Sequence, residues 1–270
     1  MRSVRTGSLR IFLLILIACI APRARAAAFD DWAAVVVAGD FRAHGDVTTE
    51  AFDNARRDVA RTLTTLGFQR QNLREFSVRP ERYRDTRPLK SDLKTIYEAL
   101  SSLTRQTGSG CLVYLTTHGA PQGAAIGDQL LSPPLLGAIL ERTCAERPTI
   151  VVLSACYSGV FLPYVAAPNR MVLTAARPDR TSFGCGQNDT YPYFDQCFLQ
   201  SVPGGGDFPA LAAAVRACVQ RREQETGMSP PSEPQLAIGA QIRPLLPLYA
   251  FAPNPRPAAG GGAPPLPASR

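Results

Sequence analysis

Apolar residues in this chain follow two alternating rhythms. Short continuous runs occur at Ala33–Gly39 (AAVVVAG), Gly110–Thr117 (GCLVYLTT), Pro148–Ala155 (PTIVVLSA) and Arg170–Ala175 (RMVLTA). Runs of that length, rich in β-branched residues, predict strands buried on both faces. Between them the spacing becomes helical. Thr49–Leu66 sets Phe52, Ala55, Val59, Ala60, Leu63 and Leu66 along one stripe, and Lys90–Thr104 does the same with Leu93, Ile96, Tyr97, Leu100 and Leu103. Pro133–Glu141 also reads as helix. Phe208–Glu225 aligns Leu211, Ala212, Val215 and Val219, with Gly227 as its terminator. Shorter strands are expected at Arg74–Val78 and Gln235–Ile242. Strands alternating with helices predict an α/β fold: a mostly parallel sheet with helices on both faces.

The two ends read differently. Residues 1–10 carry Arg2, Arg5 and Arg10 and no acid, and residues 11–21 (IFLLILIACIA) are apolar throughout. With the small-residue end Ala24-Arg25-Ala26, residues 1–26 predict a cleaved signal peptide and an exported protein, periplasmic or secreted. The apolar run is short for a membrane span. Leu16-Ile17-Ala18-Cys19 also resembles a lipobox, and lipid on Cys19 is the alternative that would tie the chain to a membrane. From Ala252 the chain is Pro, Gly and Ala, so residues 252–270 are expected to be a disordered tail. The folded domain is expected over residues 30–250.

The leader changes the charge balance. It holds Arg2, Arg5, Arg10, Arg23 and Arg25, so +7 for the whole chain becomes +2 without it. A nearly balanced mature domain has no electrostatic footprint for nucleic acid. Past residue 26 there are six cysteines: Cys111, Cys144, Cys156, Cys185, Cys197 and Cys218. That count suits an oxidising compartment, and one free nucleophile would leave an odd number for pairing. Cys111 is expected to pack in the core. Cys185 and Cys197, read as members of one loop, form either a disulfide or two reduced thiols. No C-x-x-C or His-rich cluster is present, so neither a metal site nor a cofactor is expected.

Scarcity identifies the chemistry. His44 and His118 are the only histidines, and histidine is the usual general base near neutral pH. His118 directly follows the GCLVYLTT strand, and Cys156 directly follows TIVVLSA. Sites in open α/β sheets form at the carboxyl ends of strands. Cys156 lies 38 residues after His118, enough for one crossover between neighbouring parallel strands. A thiol needs deprotonation to attack, and a nearby imidazole provides it. The amides of Gly119 and Cys156 are the candidate oxyanion donors, since glycine permits close backbone approach.

An upstream His with an Ala-Cys-x-Gly nucleophile is a caspase signature, and here an upstream His precedes SACYSG. TTHG, SACYSG and the downstream TAARPDRTSFGCGQNDTYPYFDQCF resemble the legumain branch of that clan, which also includes the glycosylphosphatidylinositol transamidase catalytic subunit. The resemblance covers roughly residues 32–245. It implies a caspase-like three-layer fold, a Cys156–His118 dyad and an acyl-thioester route for cleaving peptides after Asn or Asp. It also implies a primary specificity pocket containing Asp195 and Arg42. Ser154 occupies a pocket position where the family usually carries an acid, and Tyr157 stands where an acid often follows the nucleophile. The family's orienting Asn near the first strand has no clear counterpart. The leading expectation is an endopeptidase acting on peptide or protein substrates. The alternatives are a transpeptidase of the same family and a catalytically silent caspase-like scaffold. The sequence does not fix the oligomeric state.

Overall fold

The computed structural model describes residues 28–43 and 47–251. The predicted leader, Cys19, His44 and the Pro/Gly tail lie outside these residues. In chain order the elements are β1 (Trp32–Ala38), α1 (Ala51–Thr65), β2 (Leu73–Ser77), β3 (Leu89–Lys90), α2 (Leu93–Gln106) and β4 (Gly110–Thr116). Next come β5 (Gly119–Ala120), β6 (Gly123–Ile126), β7 (Gln129–Leu131), α3 (Pro133–Thr143) and β8 (Thr149–Ser154). Then follow α4 (Leu162–Val165), β9 (Arg170–Thr174), α5 (Tyr193–Ser201), α6 (Phe208–Glu225) and β10 (Gln235–Ile238).

Seven strands form one sheet in the order β10-β9-β8-β4-β1-β2-β3, all parallel except β10. Strands β1, β4 and β8 are buried along their whole length, which is why each reads as an unbroken apolar run. Alternation along them divides the core in two. Ala34, Val36, Leu112, Tyr114, Ile150 and Val152 face α1, α5 and α6. Ala33, Val35, Val113, Leu115, Val151 and Leu153 face α2, α3 and α4. The result is a three-layer α/β architecture.

Local chemistry fixes the helix ends. The side chain of Asp92 caps α2 by accepting from Thr95 N–H, and Asp207 caps α6 by accepting from Ala210 N–H. At Trp32 the indole of β1 is fully buried in edge contacts with Phe29, Phe68 and Tyr249.

Cysteine pairing differs from the expectation. Cys197 pairs with Cys218, linking α5 to α6, and Cys111 pairs with Cys144, linking β4 to the end of α3. Each disulfide therefore lies within one face of the sheet. Cys185 is a free thiol and does not pair with Cys197. The reason is that residues 193–201 are helical rather than loop: Phe194, Cys197 and Phe198, at i, i+3 and i+4, turn together onto the core.

The sheet reverses its winding at β1. The chain leaves β1 toward β2 and β3, then returns to lay β4 on the other side and continues outward to β8 and β9. Such a switch point splits successive loops and opens a crevice at the carboxyl ends of the strands.

Candidate active site

The segments after β1, β4 and β8 meet in that crevice. Strands β4 and β8 are adjacent and in register with Thr116 opposite Ser154, so His118 and Cys156 each lie two residues beyond a matched pair. The pairing continues past the strand ends, since Thr117 N–H donates to Ser154 O at 3.0 Å. At Gly119 the two backbones touch: a Cβ there would lie 1.9 Å from the Cys156 carbonyl oxygen. Only glycine allows this approach. The strand-end pair predicted from the sequence thus sits on one edge of the sheet, on neighbouring strands.

The imidazole is held by its surroundings. His118 Nε2 lies 2.7 Å from the carbonyl oxygen of Arg42, in the segment after β1. A carbonyl can only accept, so Nε2 carries the hydrogen and Nδ1 is the basic nitrogen of the neutral ring. Buried Phe52, from the first turn of α1, contacts the ring edge-on at 5.0 Å between centroids. One group that orients the ring is thus a backbone carbonyl.

The sulfur is set by a tight turn. Tyr157, directly after Cys156, adopts φ +56°, a left-handed conformation rare for a large residue. Its N–H is fixed by Arg180 O at 2.7 Å. Cys156 Sγ accepts from Ser182 N–H at 3.3 Å and lies 3.6 Å from Ser182 Oγ. A cavity of about 380 Å³ opens beside it, lined by Cys156, Ser182, Cys185, Asp189, Tyr193 and Met228 among others. A larger groove of about 670 Å³ between α6 and residues 228–235 contains no nucleophilic side chain, so volume is a poor guide to the chemistry here.

Cys185 shares the cavity with Cys156. Burial, and then the neighbouring Cys156, push its thiol up to about 11. Tyr193 belongs to the cavity wall, Tyr191 donates to Asp58 at 2.7 Å, and Phe194 is core.

The three residues expected to bind substrate are not grouped as the resemblance implies. Arg42, in the segment after β1, is partly exposed and does not line the cavity, its guanidinium bonded to Asp40 Oδ1 at 2.9 Å and to Gly127 O at 2.9 Å. Asp195 and Ser154 are interior, 0% and 2% exposed, and neither lines the cavity. Asp195 projects from the first turn of α5 onto the sheet. Its Oδ1 accepts from Tyr114 OH at 2.6 Å, and its Oδ2 accepts from Thr116 Oγ1 at 2.8 Å and Ser154 Oγ at 2.7 Å. Burial raises its carboxyl to about 6, against the opposing pull of those three hydroxyls. Burial and the adjacent Asp195 raise Tyr114 well above its ordinary range, so Tyr114 remains a donor. Among the described residues there is no cluster of metal-ligating side chains.

Residues 89–203 match the sequence model of the Peptidase C13 family, the legumain family. By that segment and by its fold, the chain reads as a cysteine peptidase similar to the legumain family. The matched segment of the peptidase contains His118, Gly119, Ser154, Cys156 and Asp195, while Arg42 precedes it. No curated protein matches the peptidase in sequence. Among solved structures, caspase-1 from Spodoptera frugiperda superposes with a TM-score of 0.57 at 14% identity, covering 88% of this chain and 94% of that one. At that identity the likeness concerns the fold: the peptidase has a caspase-like sheet flanked by helices.

Proposed function

We propose that the peptidase is an endopeptidase in which Cys156 attacks a peptide carbonyl and His118 carries the proton. The observation that supports this reading most directly is the in-register ending of β4 and β8, with Gly119 backbone against Cys156. His118 Nδ1 takes the thiol proton as Sγ bonds to the carbonyl carbon. The oxyanion formed is met by the amides of Gly119 and Cys156, donors of a kind worth about 3 kcal/mol each. The imidazolium then protonates the leaving amine, the peptide bond breaks, and an acyl-thioester remains on Cys156. Water, deprotonated by the same nitrogen, cleaves the thioester and restores the thiol. Arg42 contributes through its carbonyl, which holds Nε2–H and steadies the charged ring.

Cleavage after Asn or Asp rests on the legumain-like resemblance together with Arg42, the one expected pocket residue that remains accessible, its side chain 43% exposed. Export from the cytoplasm is the reading that the paired Cys111–Cys144 and Cys197–Cys218 favour, since such bonds persist in oxidising compartments.

The test is a peptide electrophile with an amide or acid side chain before the reactive carbonyl. It should attach to Cys156 in the wild-type protein and fail to attach in Cys156→Ala, with hydrolysis lost in parallel. Full hydrolysis by Cys156→Ala would overturn the reading. A positional-scanning peptide library would then decide the residue preference.

A further inference from the structure

Among the described residues, Asp195 is a carboxylate bonded to both strands that carry the reactive pair. Its three partners are not arbitrary hydroxyls. Thr116 and Ser154 are register partners across β4 and β8, and they are the last residues of those strands. A single oxygen, Oδ2, accepts from both, at 2.8 and 2.7 Å. Tyr114, two residues before Thr116 on the same face, holds the other oxygen. Continuing each strand by two residues, about 6.6 Å, reaches His118 and Cys156. The carboxylate thus sits one strand step beneath the reactive pair and is bonded to the base of each arm.

We propose that Asp195 is a positioning residue, a buried strut that fixes the separation of the β4 and β8 ends and so the approach of His118 to Cys156. This goes beyond the proposed dyad and rests on it. The assignment differs from a role in recognising the substrate side chain. All four side chains of the network are buried, and none lines the cavity beside Cys156. At position 154 the serine hydroxyl supplies one of the two donors to Asp195 Oδ2. The strut is carried by α5, which the Cys197–Cys218 bond ties to α6, so its footing is itself constrained.

The experiment compares steady-state hydrolysis and Cys156 alkylation by iodoacetamide in wild-type protein, Asp195→Asn, Asp195→Ala and the double variant Thr116→Val/Ser154→Ala. Retained folding is checked by thermal melting. A misplacement of about 1 Å between reacting groups costs on the order of 100-fold. Asp195→Ala should therefore lose ~100-fold in kcat with KM within ~2-fold, and the double variant should reproduce that loss. Asp195→Asn keeps one acceptor oxygen at the same place and should recover part of the rate, remaining within ~10-fold of wild type. If Asp195→Ala does not fold, Ser154→Ala alone decides, with an expected loss of ~10-fold in kcat at unchanged KM.

A raised KM with intact kcat, or a residue-selective effect across the peptide library, would assign Asp195 to substrate recognition and overturn the strut. Wild-type kcat in the double variant would overturn it as well. Failure of the dyad itself would show differently, as hydrolysis surviving in Cys156→Ala.

Discussion

The carbonyl oxygen of Arg42 lies 2.7 Å from Nε2 of His118, so main chain helps to orient the imidazole. A contact of this kind survives side-chain replacement. Arg42→Ala is expected to leave kcat within ~3-fold of wild type while changing preference among peptides, as measured by hydrolysis of a small substrate panel. Phe52→Ala removes the ring packed against the imidazole and opens a core cavity. It should lower kcat and destabilise the fold by about 3–5 kcal/mol in denaturant titration. A large kcat loss in Arg42→Ala would show that the guanidinium takes part in orienting His118.

The two free thiols should behave differently. Only thiolate reacts with alkylating agents, and burial has pushed Cys185 up to about 11. Of the two free thiols among the described residues, iodoacetamide at neutral pH should modify Cys156 and not Cys185, as read by peptide mass mapping. Cys185→Ser should leave the inactivation rate unchanged. Equal labelling of both residues would contradict this ordering.

Asp195 gives a pH dependence with a defined sign. Its carboxyl titrates near 3.8 when unperturbed and near 6 in the folded protein because it is buried. Between those values the native state binds the proton more readily than the unfolded chain, so stability from this group is complete below about 3.8 and lost as pH rises through about 6. The groups facing the carboxyl are Tyr114 and Thr116 from β4 and Ser154 from β8. The full difference amounts to about 3 kcal/mol. Asp195→Asn does not titrate, so it should gain stability relative to wild type as pH rises from about 4 to 7. Parallel melting curves across that range would argue against it.

The disulfides should contribute most of their stabilisation through the unfolded state. Cys197 and Cys218 close a loop of 21 residues, and breaking the bond with Cys197→Ser/Cys218→Ser should cost about 3 kcal/mol. Strong reductant should lower the melting temperature of wild-type protein and have little effect on that variant beyond the loss of Cys111–Cys144. Equal melting temperatures for wild type and variant would refute the estimate.

On the far side of α1, Arg56 is fully buried between Asp53, at 3.0 Å, and Glu75. Arg56→Met would leave the buried Asp53 without its cation, while Glu75 keeps Arg70 at 2.6 Å. Breaking a buried pair in this way costs about 3–5 kcal/mol, which denaturant titration would detect.

Much of the fold was visible because its central strands are buried on both faces. The runs at 33–39, 110–117, 148–155 and 170–175 correspond to β1, β4, β8 and β9 within one or two residues. A strand buried on both sides cannot hide polar residues, so its pattern is unambiguous. Helix α5 was less legible, although Phe194, Cys197 and Phe198 already carry helical spacing. Pro192 and the aromatic-rich stretch before it read as loop, and the helix is only 9 residues long. Strands β5, β6 and β7 were missed because they have two to four residues each, too few for a period to register. At the candidate site, His118 and Cys156 were readable as strand-end residues. The part played by Arg42 O was not, because every residue has a carbonyl and only the switch in winding at β1 brings this one beside the imidazole. The interior position of Asp195 follows from the same misread helix.

Neither covalent bridge crosses the segment between Cys144 and Cys197: one closes wholly before it and the other wholly after. A proteolytic nick in the loop between β9 and α5 would therefore yield two fragments with no bond joining them. His118 and Cys156 would remain on the amino-terminal fragment, and the carboxyl-terminal one would keep α5 and α6. The cleaved molecule would stay assembled in native solution through the interlayer core and come apart in detergent even without reductant.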